Sequence, residues 1–237
     1  DVVGHGTVVA QLAAGAASGS WPGGIASGAS VLSARIIADK PPADDGSGQG
    51  NEVNGALGFM GVHNDLIGAG MRIMNNSWGG LYWNNLNATA PIASEYRPFI
   101  VNNDGLVVFA AGNDGRANPS DMASLPSKAG PNGTQPAHYS NACGLAAAYC
   151  LAAPGTAAYM DPKAVSAPAA TYYYGSGTSY AAPLVSGAAA LVWEKYPYFN
   201  NDNVRQTLLG TATDLGAAGT DAVFGHGLLN IASAING

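Results

Sequence analysis

The chain has 237 residues, a length that fits one large α/β domain. Charged residues make up only 10% of it and the net charge is −6, against about 25% charged in typical soluble domains. No basic run occurs, which excludes the electrostatic footprint of a nucleic-acid binder. The longest apolar stretch, Ala181 to Trp193, contains Pro183, Ser186 and Gly187 and stops at Glu194, short of the roughly 20 residues of a membrane span.

In chain order, the first element is a helix opened by Gly4-His5-Gly6-Thr7 and continued by Val8, Val9, Ala10, Leu12, Ala13 and Ala14. Val31 to Ile37 reads as a strand of β-branched and apolar residues, and Pro41 to Gly50 as a loop. Glu52 to Ile67 carries Val53, Ala56, Leu57, Met60 and Ile67 at helical spacing. Met71 to Asn75 is the next strand. Pro91 to Asn103 reads as a helix that Pro98 kinks or divides. Leu106 to Ala111 is a clear strand and Leu145 to Ala152 a weaker one. Tyr172 to Tyr174 belongs to a hairpin, Ala181 to Trp193 is a buried helix, and Asn201 to Leu209 and Leu228 to Ile235 are closing helices. This alternation predicts an α/β fold whose parallel strands place functional groups at one sheet edge.

Three segments carry chemistry. Gly175-Ser176-Gly177-Thr178-Ser179-Tyr180-Ala181-Ala182-Pro183 sets a serine hydroxyl between a glycine turn and an apolar helix. Pro183 is expected near the start of that helix, where amides have no intrahelical partner. The unpaired amides and dipole of a helix start favour negative charge there; the plain alternative is that Thr178 or Ser179 is a helix cap. His5 beside a helix start is a candidate general base, because an imidazole titrates near working pH. Val107 to Ala111 runs into Gly112-Asn113-Asp114-Gly115, where a side-chain amide at a strand end is suited to donate to a developing oxyanion; an ordinary Asn-Asp-Gly turn is the competing reading. An α/β-hydrolase requires Gly-x-Ser-x-Gly, and Ala181 stands where the second glycine belongs.

The three blocks, in this order and spread over Gly4 to about Ala234, resemble the subtilisin-like serine proteases, the subtilase family. The resemblance implies a mostly parallel sheet flanked by helices on both faces in three layers, with residues 1–237 as a single peptidase domain. It implies a serine endopeptidase acting through an acyl-enzyme: Ser179 as nucleophile, His5 as base, and Asn113 with the Ser179 N–H as oxyanion donors. Asn76-Ser77-Trp78-Gly79-Gly80 resembles the segment that pairs with the substrate backbone, so Ser77, Trp78 and Gly79 are expected to bind substrate. Ala111 and Gly112 resemble another pocket wall. No cofactor is implied. Calcium occurs in some subtilases, but Asp44 and Asp45 lack a spaced oxygen-ligand pattern and read as a solvated loop.

Departures from the family pattern concern the first and middle parts of the domain. The family order is Asp, His, Ser, and only Asp1, Val2, Val3 and Gly4 precede His5. Asp1 stands too near His5 to be the catalytic carboxylate, so the first strand and that Asp are expected to be missing from this chain. A non-catalytic or weakly active surface or binding domain is therefore the alternative function. After Leu125-Pro126, whose bond the resemblance gives as a candidate for cis, the apolar strand the family carries is expected to be absent or much shortened across Ser127 to His138.

Cys143 and Cys150 are the only cysteines. A short hairpin would bring them within disulfide range, while two buried free thiols is the other reading. Their run, ending in Ala153-Pro154-Gly155, and the C-terminal Phe224-Gly225-His226-Gly227-Leu228-Leu229-Asn230 resemble subtilases carried as autotransporter passenger domains. That branch implies a secreted or cell-surface location and a downstream β-barrel partner, and the family leaves room for a propeptide. His63, His138 and His226 are expected to be surface or capping residues, and Asn75-Asn76-Ser77, Asn87-Ala88-Thr89 and Asn132-Gly133-Thr134 fit the glycosylation pattern.

Overall fold

The computed structural model describes residues 4–36, 56–78, 89–124, 128–130, 140–161 and 172–237. Four parallel strands lie side by side in chain order: β1 (Ile73–Asn76), β2 (Leu106–Ala110), β3 (Lys128–Gly130) and β4 (Cys150–Ala152). All of β2 is buried, as expected of a strand covered on both faces. Alternation along it divides the core. Leu106, Val108 and Ala110 face a cluster with Ala181, Val185, Ala188, Val192, Val204 and Leu208, whereas Val107 and Phe109 join Ile92, Tyr96, Phe99 and Met122. The first cluster belongs to α4 (Thr178–Lys195), α5 (Asn201–Gly210) and α6 (Ile231–Asn236); the second includes α3 (Thr89–Arg97). Helices therefore cover both faces, and the three-layer α/β expectation holds. Full burial of each Val or Leu contributes about 1.5–3 kcal/mol, so these stripes fix which face of β2 meets which helix.

A second, antiparallel pair is formed by β5 (Thr156–Met160) and β6 (Tyr172–Ser176), the hairpin expected before the serine turn. The helix over 201–209 matches α5, which starts at a reciprocal capping box between Asn200 and Asn203. As expected, Pro98 divides the 91–103 helix: α3 ends at Arg97 and a wide turn covers Pro98–Asn102.

Other expectations need correction. Residues 31–36 form no strand, and Val31 and Leu32 are exposed. β-Branched composition supplies propensity, whereas a strand also needs a ladder partner. Of the helix expected over Glu52 to Ile67, residues 52–55 lie outside the described residues, residues 56–59 are not helical, and the helix is α2 (Met60–Gly68). Gly58 sits at φ 83°, outside helical geometry, and the buried Glu95 carboxylate accepts the amides of Leu57 (2.8 Å), Gly58 (2.6 Å) and Phe59 (2.9 Å) instead. The strand over 145–152 is a 3₁₀ helix, Gly144–Tyr149, followed by β4; its alanines favour a helical turn. The last helix begins at Ile231, because Leu228 pairs with Thr213 and Leu229 with Ala152 before Asn230 caps α6. The shortened strand after Pro126 is β3, three residues long. The Leu125-Pro126 bond, the loop with Asp44 and Asp45, and His138 lie outside the described residues.

Candidate active site

Ser179 is the second residue of α4 and follows Gly177, whose φ of 154° places it as the N-cap. Second-position amides have no i−4 carbonyl within the helix, so the Ser179 N–H points out of the helix end. A Cβ built on Gly177 would lie 3.2 Å from Ser179 Oγ and 3.6 Å from Asn113 Nδ2. The hydroxyl and the amide nitrogen thus converge on one small space, which only glycine leaves open.

The orientation of Asn113 is set by Thr178. The Thr178 amide donates to Asn113 Oδ1 (2.9 Å) and so does its hydroxyl (3.0 Å), while the Gly112 amide donates to that same hydroxyl oxygen (3.1 Å). With its oxygen engaged twice, the Asn113 side chain presents Nδ2 to the space beside Ser179. Thr178 is fully buried. The helix-cap reading of Thr178 is replaced by this one: its side chain serves Asn113, and the cap residue is Gly177.

Pro183 does not fall among the unpaired amides of the helix start. In α4 it is the sixth residue, beyond the first turn, so its missing N–H deprives the carbonyl four residues back. That carbonyl is Ser179 O, and the Ser77 hydroxyl donates to it at 2.8 Å. Ser77 Oγ in turn accepts from Asn75 Nδ2 (2.9 Å), and Ser186 donates to Asn75 Oδ1 (2.9 Å). A chain of polar side chains therefore ties the end of β1 to the backbone of Ser179. It also engages the Asn75 amide, so this glycosylation pattern falls on an occupied side chain.

His5 opens α1 (His5–Ala14) and stands edge-on to Tyr180, ring centroids 6.3 Å apart. His5 is exposed to solvent, and the partial burial of its imidazole lowers its pKa below the ordinary value. Two contacts fix α1 against the serine side of the site. Gln11 exchanges hydrogen bonds with the backbone of Met160 (3.3 and 3.1 Å), pairing the helix with β5. Gly187 of α4 lies so near α1 that a Cβ there would sit 2.9 Å from the Ala13 carbonyl and 2.6 Å from Ile25.

Trp78 is half-buried and meets Phe59 edge-on at 5.6 Å. Ala111 is buried, and Gly112 adopts φ 110° at the turn after β2. Gly79 lies outside the described residues. Cys143 and Cys150 form a disulfide with Cα atoms 5.8 Å apart, which resolves the two cysteine readings. His63 is buried with its Nδ1 2.8 Å from the Glu95 carbonyl, not a surface residue as expected; its apolar surroundings on α2 gave no sequence signal of that partner. His226 Nε2 lies 3.2 Å from the Ala148 carbonyl. Asn141, which the sequence did not single out, packs against the Asn113 turn. Among the described residues, no three His, Cys, Asp or Glu side chains gather to hold a metal ion, and no helix is long and apolar enough to cross a membrane.

Residues 1–227 match the profile of the subtilase family. The Neisserial autotransporter lipoprotein NalP of Neisseria meningitidis serogroup B is 38% identical over 164 residues, covering 58% of this chain and 15% of that protein. An extracellular serine protease of Serratia marcescens is 36% identical over 163 residues, covering 56% of this chain and 16% of its own length. The chain thus spans about a sixth of the length of these relatives. Among solved structures, a mutant of the protease domain of PatA superposes with a TM-score of 0.75 at 26% identity, over 98% of this chain and 78% of that one. The sequence blocks, the three-layer architecture and these matches agree: the chain belongs to the subtilase family, the subtilisin-type serine peptidases.

Proposed function

We propose that the protein is a serine endopeptidase that cleaves peptide bonds through an acyl-enzyme on Ser179, with residues 1–237 belonging to a single peptidase domain. The observation that carries this reading is the convergence of Ser179 Oγ and Asn113 Nδ2 beside Gly177. In the proposed reaction Ser179 Oγ attacks the scissile carbonyl as His5 takes its proton. The tetrahedral oxyanion is received by Asn113 Nδ2 and the Ser179 N–H. His5 then returns the proton to the leaving amine, and water hydrolyses the ester. Loss of a side-chain oxyanion donor costs roughly 100- to 1,000-fold in turnover in subtilisin, and a cost of that order is expected for Asn113→Ala.

The substrate backbone is proposed to lie along Ser77, Trp78 and Gly79, with Ala111 and Gly112 as the facing wall, where small residues let a peptide backbone approach closely. The reaction as proposed uses no cofactor, because hydrogen-bond donors of the chain meet the developing charge. A secreted or bacterial cell-surface setting agrees with the relatives, one an autotransporter and one extracellular by name, and with the disulfide. A downstream β-barrel and a propeptide are the partners proposed from the same likeness.

The test is fluorophosphonate labelling of the full-length protein, read by peptide mass. An adduct at Ser179 that disappears in His5→Ala supports a base-activated nucleophile. A well-folded protein without the adduct would put the non-catalytic binding domain ahead.

A further inference from the structure

We propose that Asn141 is a positioning residue for the oxyanion donor: its side chain clasps the turn that carries Asn113 and holds the donor nitrogen in place for the transition state. The inference rests on the reading of Asn113 given above.

After β2 the chain turns at Ala111-Gly112-Asn113, and this turn has no regular ladder to hold it. Asn141 supplies the missing bonds from outside. Its own amide donates to the Gly112 carbonyl (3.1 Å) and its Nδ2 to the Ala111 carbonyl (3.2 Å). Its Oδ1 accepts from the amides of Asp114 (3.1 Å) and Arg116 (2.9 Å). Two carbonyls before Asn113 and two amides after it are thus tied to one residue, which is 1% exposed. Ala142 extends the clasp by donating to the Arg116 carbonyl at 2.8 Å.

The chemistry singles out asparagine. The turn offers carbonyls on one side and N–H groups on the other, so its holder needs a donor and a double acceptor on one short side chain. An aspartate would keep the acceptor and turn an oxygen toward the Ala111 carbonyl. A glutamine would need room that is absent. The approach is close enough that a Cβ on Gly112 would sit 2.5 Å from Asn141 Nδ2. Asn113 is therefore held twice: its oxygen by Thr178 on α4, its backbone by Asn141. Freed from the second restraint, the amide nitrogen would spend part of its time away from the oxyanion, a loss felt in the transition state more than in substrate binding.

The experiment is a double-mutant cycle on the full-length protease with a peptide substrate, comparing wild type, Asn141→Ala, Asn113→Ala and the double variant. The expected result is a kcat about 10-fold lower in Asn141→Ala with KM within about two-fold. The same substitution should cost less than about two-fold when Asn113 is already alanine, because it acts through that residue. Asn141→Asp, which keeps the acceptor but sets a buried oxygen against the Ala111 carbonyl, is expected to lose kcat at least as far as Asn141→Ala, and the uncharged Asn141→Ser, with the same kcat loss expected, serves as the readout if the alanine variant does not fold. An equal loss in both Asn113 backgrounds, or a loss confined to KM, would overturn the proposal and leave Asn141 a structural residue only. Unchanged turnover in Asn113→Ala would instead remove the oxyanion reading on which the inference stands.

Discussion

Ser179 shows how one residue type constrains several others. Its position at a helix start exposes its amide, and Pro183 leaves its carbonyl without a helical donor. A buried carbonyl left unpaired costs about 1–3 kcal/mol, and the Ser77 hydroxyl removes that cost. The bond also ties the backbone of Ser179, the proposed nucleophile, to the segment proposed to hold substrate. His5 carries the prediction at this scale. Burial against Tyr180 disfavours the imidazolium, so its pKa lies below the ordinary histidine value. The neutral form, the one able to accept the Ser179 proton, then persists to lower pH. In this chain the His5 Cε1–H NMR titration is expected to have its midpoint below that of an exposed histidine. The sign for stability follows: the native state binds fewer protons than the unfolded one, so the contribution is present above the ordinary pKa and lost as pH falls through the folded value. A midpoint above the ordinary value would mean that a negative group facing the ring outweighs burial.

Elements position what residues supply. The site gathers side chains from the start of α1, the end of β1, the turn after β2 and the start of α4, and the relation between α1 and α4 depends on a missing side chain at Gly187. A β-branched residue there would meet the Ala13 carbonyl and Ile25. Gly187→Val is expected to push α1 outward and move His5 away from Ser179, lowering both stability and turnover; overpacking of this kind typically costs about 1–3 kcal/mol. The check is kcat/KM together with denaturant unfolding, and Gly210→Ala, at a site with open space around its Cβ position, is the control that should leave turnover unchanged. The sequence made α4 and the central strand legible because both are long, apolar and bounded by glycine turns. It also pointed to His5, Asn113 and Ser179 as candidates, through the glycine-rich blocks around them. Asn141 and the Ser186–Asn75–Ser77 chain escaped it, since their partners are backbone groups and side chains far along the chain. The strand expected over 31–37, whose described residues 31–36 form none, and the helix expected to run through 56–59 failed for a related reason: periodicity gives a preference, while a ladder partner or a carboxylate such as Glu95 decides the boundary.

At the scale of the whole molecule, the parallel sheet brings strand ends and helix starts to a common side, which is why Thr178, beside the proposed nucleophile, meets Asn113, the proposed oxyanion donor, across 65 residues of chain. The β4 edge of the sheet is closed differently. There the Cys143–Cys150 disulfide spans a 3₁₀ turn beside β4, and the tail returns across it through bonds from His226 to the Cys150 carbonyl (2.9 Å) and from Leu229 to the Ala152 carbonyl (2.8 Å). The bridge joins residues only seven apart. In the chain-entropy picture a loop that short removes about 2–3 kcal/mol of unfolded-state freedom, less than a bridge across a long loop would. The tail's backbone bonds and the buried Phe224 hold this region independently of the sulfurs. Reduction, or the Cys143→Ala, Cys150→Ala pair, is therefore expected to lower the unfolding free energy by no more than about 3 kcal/mol while the folded protein keeps its kcat/KM, because the Cys143 and Gly144 amides, which donate to the Val223 (3.3 Å) and Ala222 (2.7 Å) carbonyls, hold the segment after Asn141 without the bridge. Urea unfolding with and without reductant, run beside a peptidase assay below the transition, checks both halves. A turnover that fell with the disulfide while the protein stayed folded would show that the bridge supports the Asn113 turn through Asn141, two residues before Cys143.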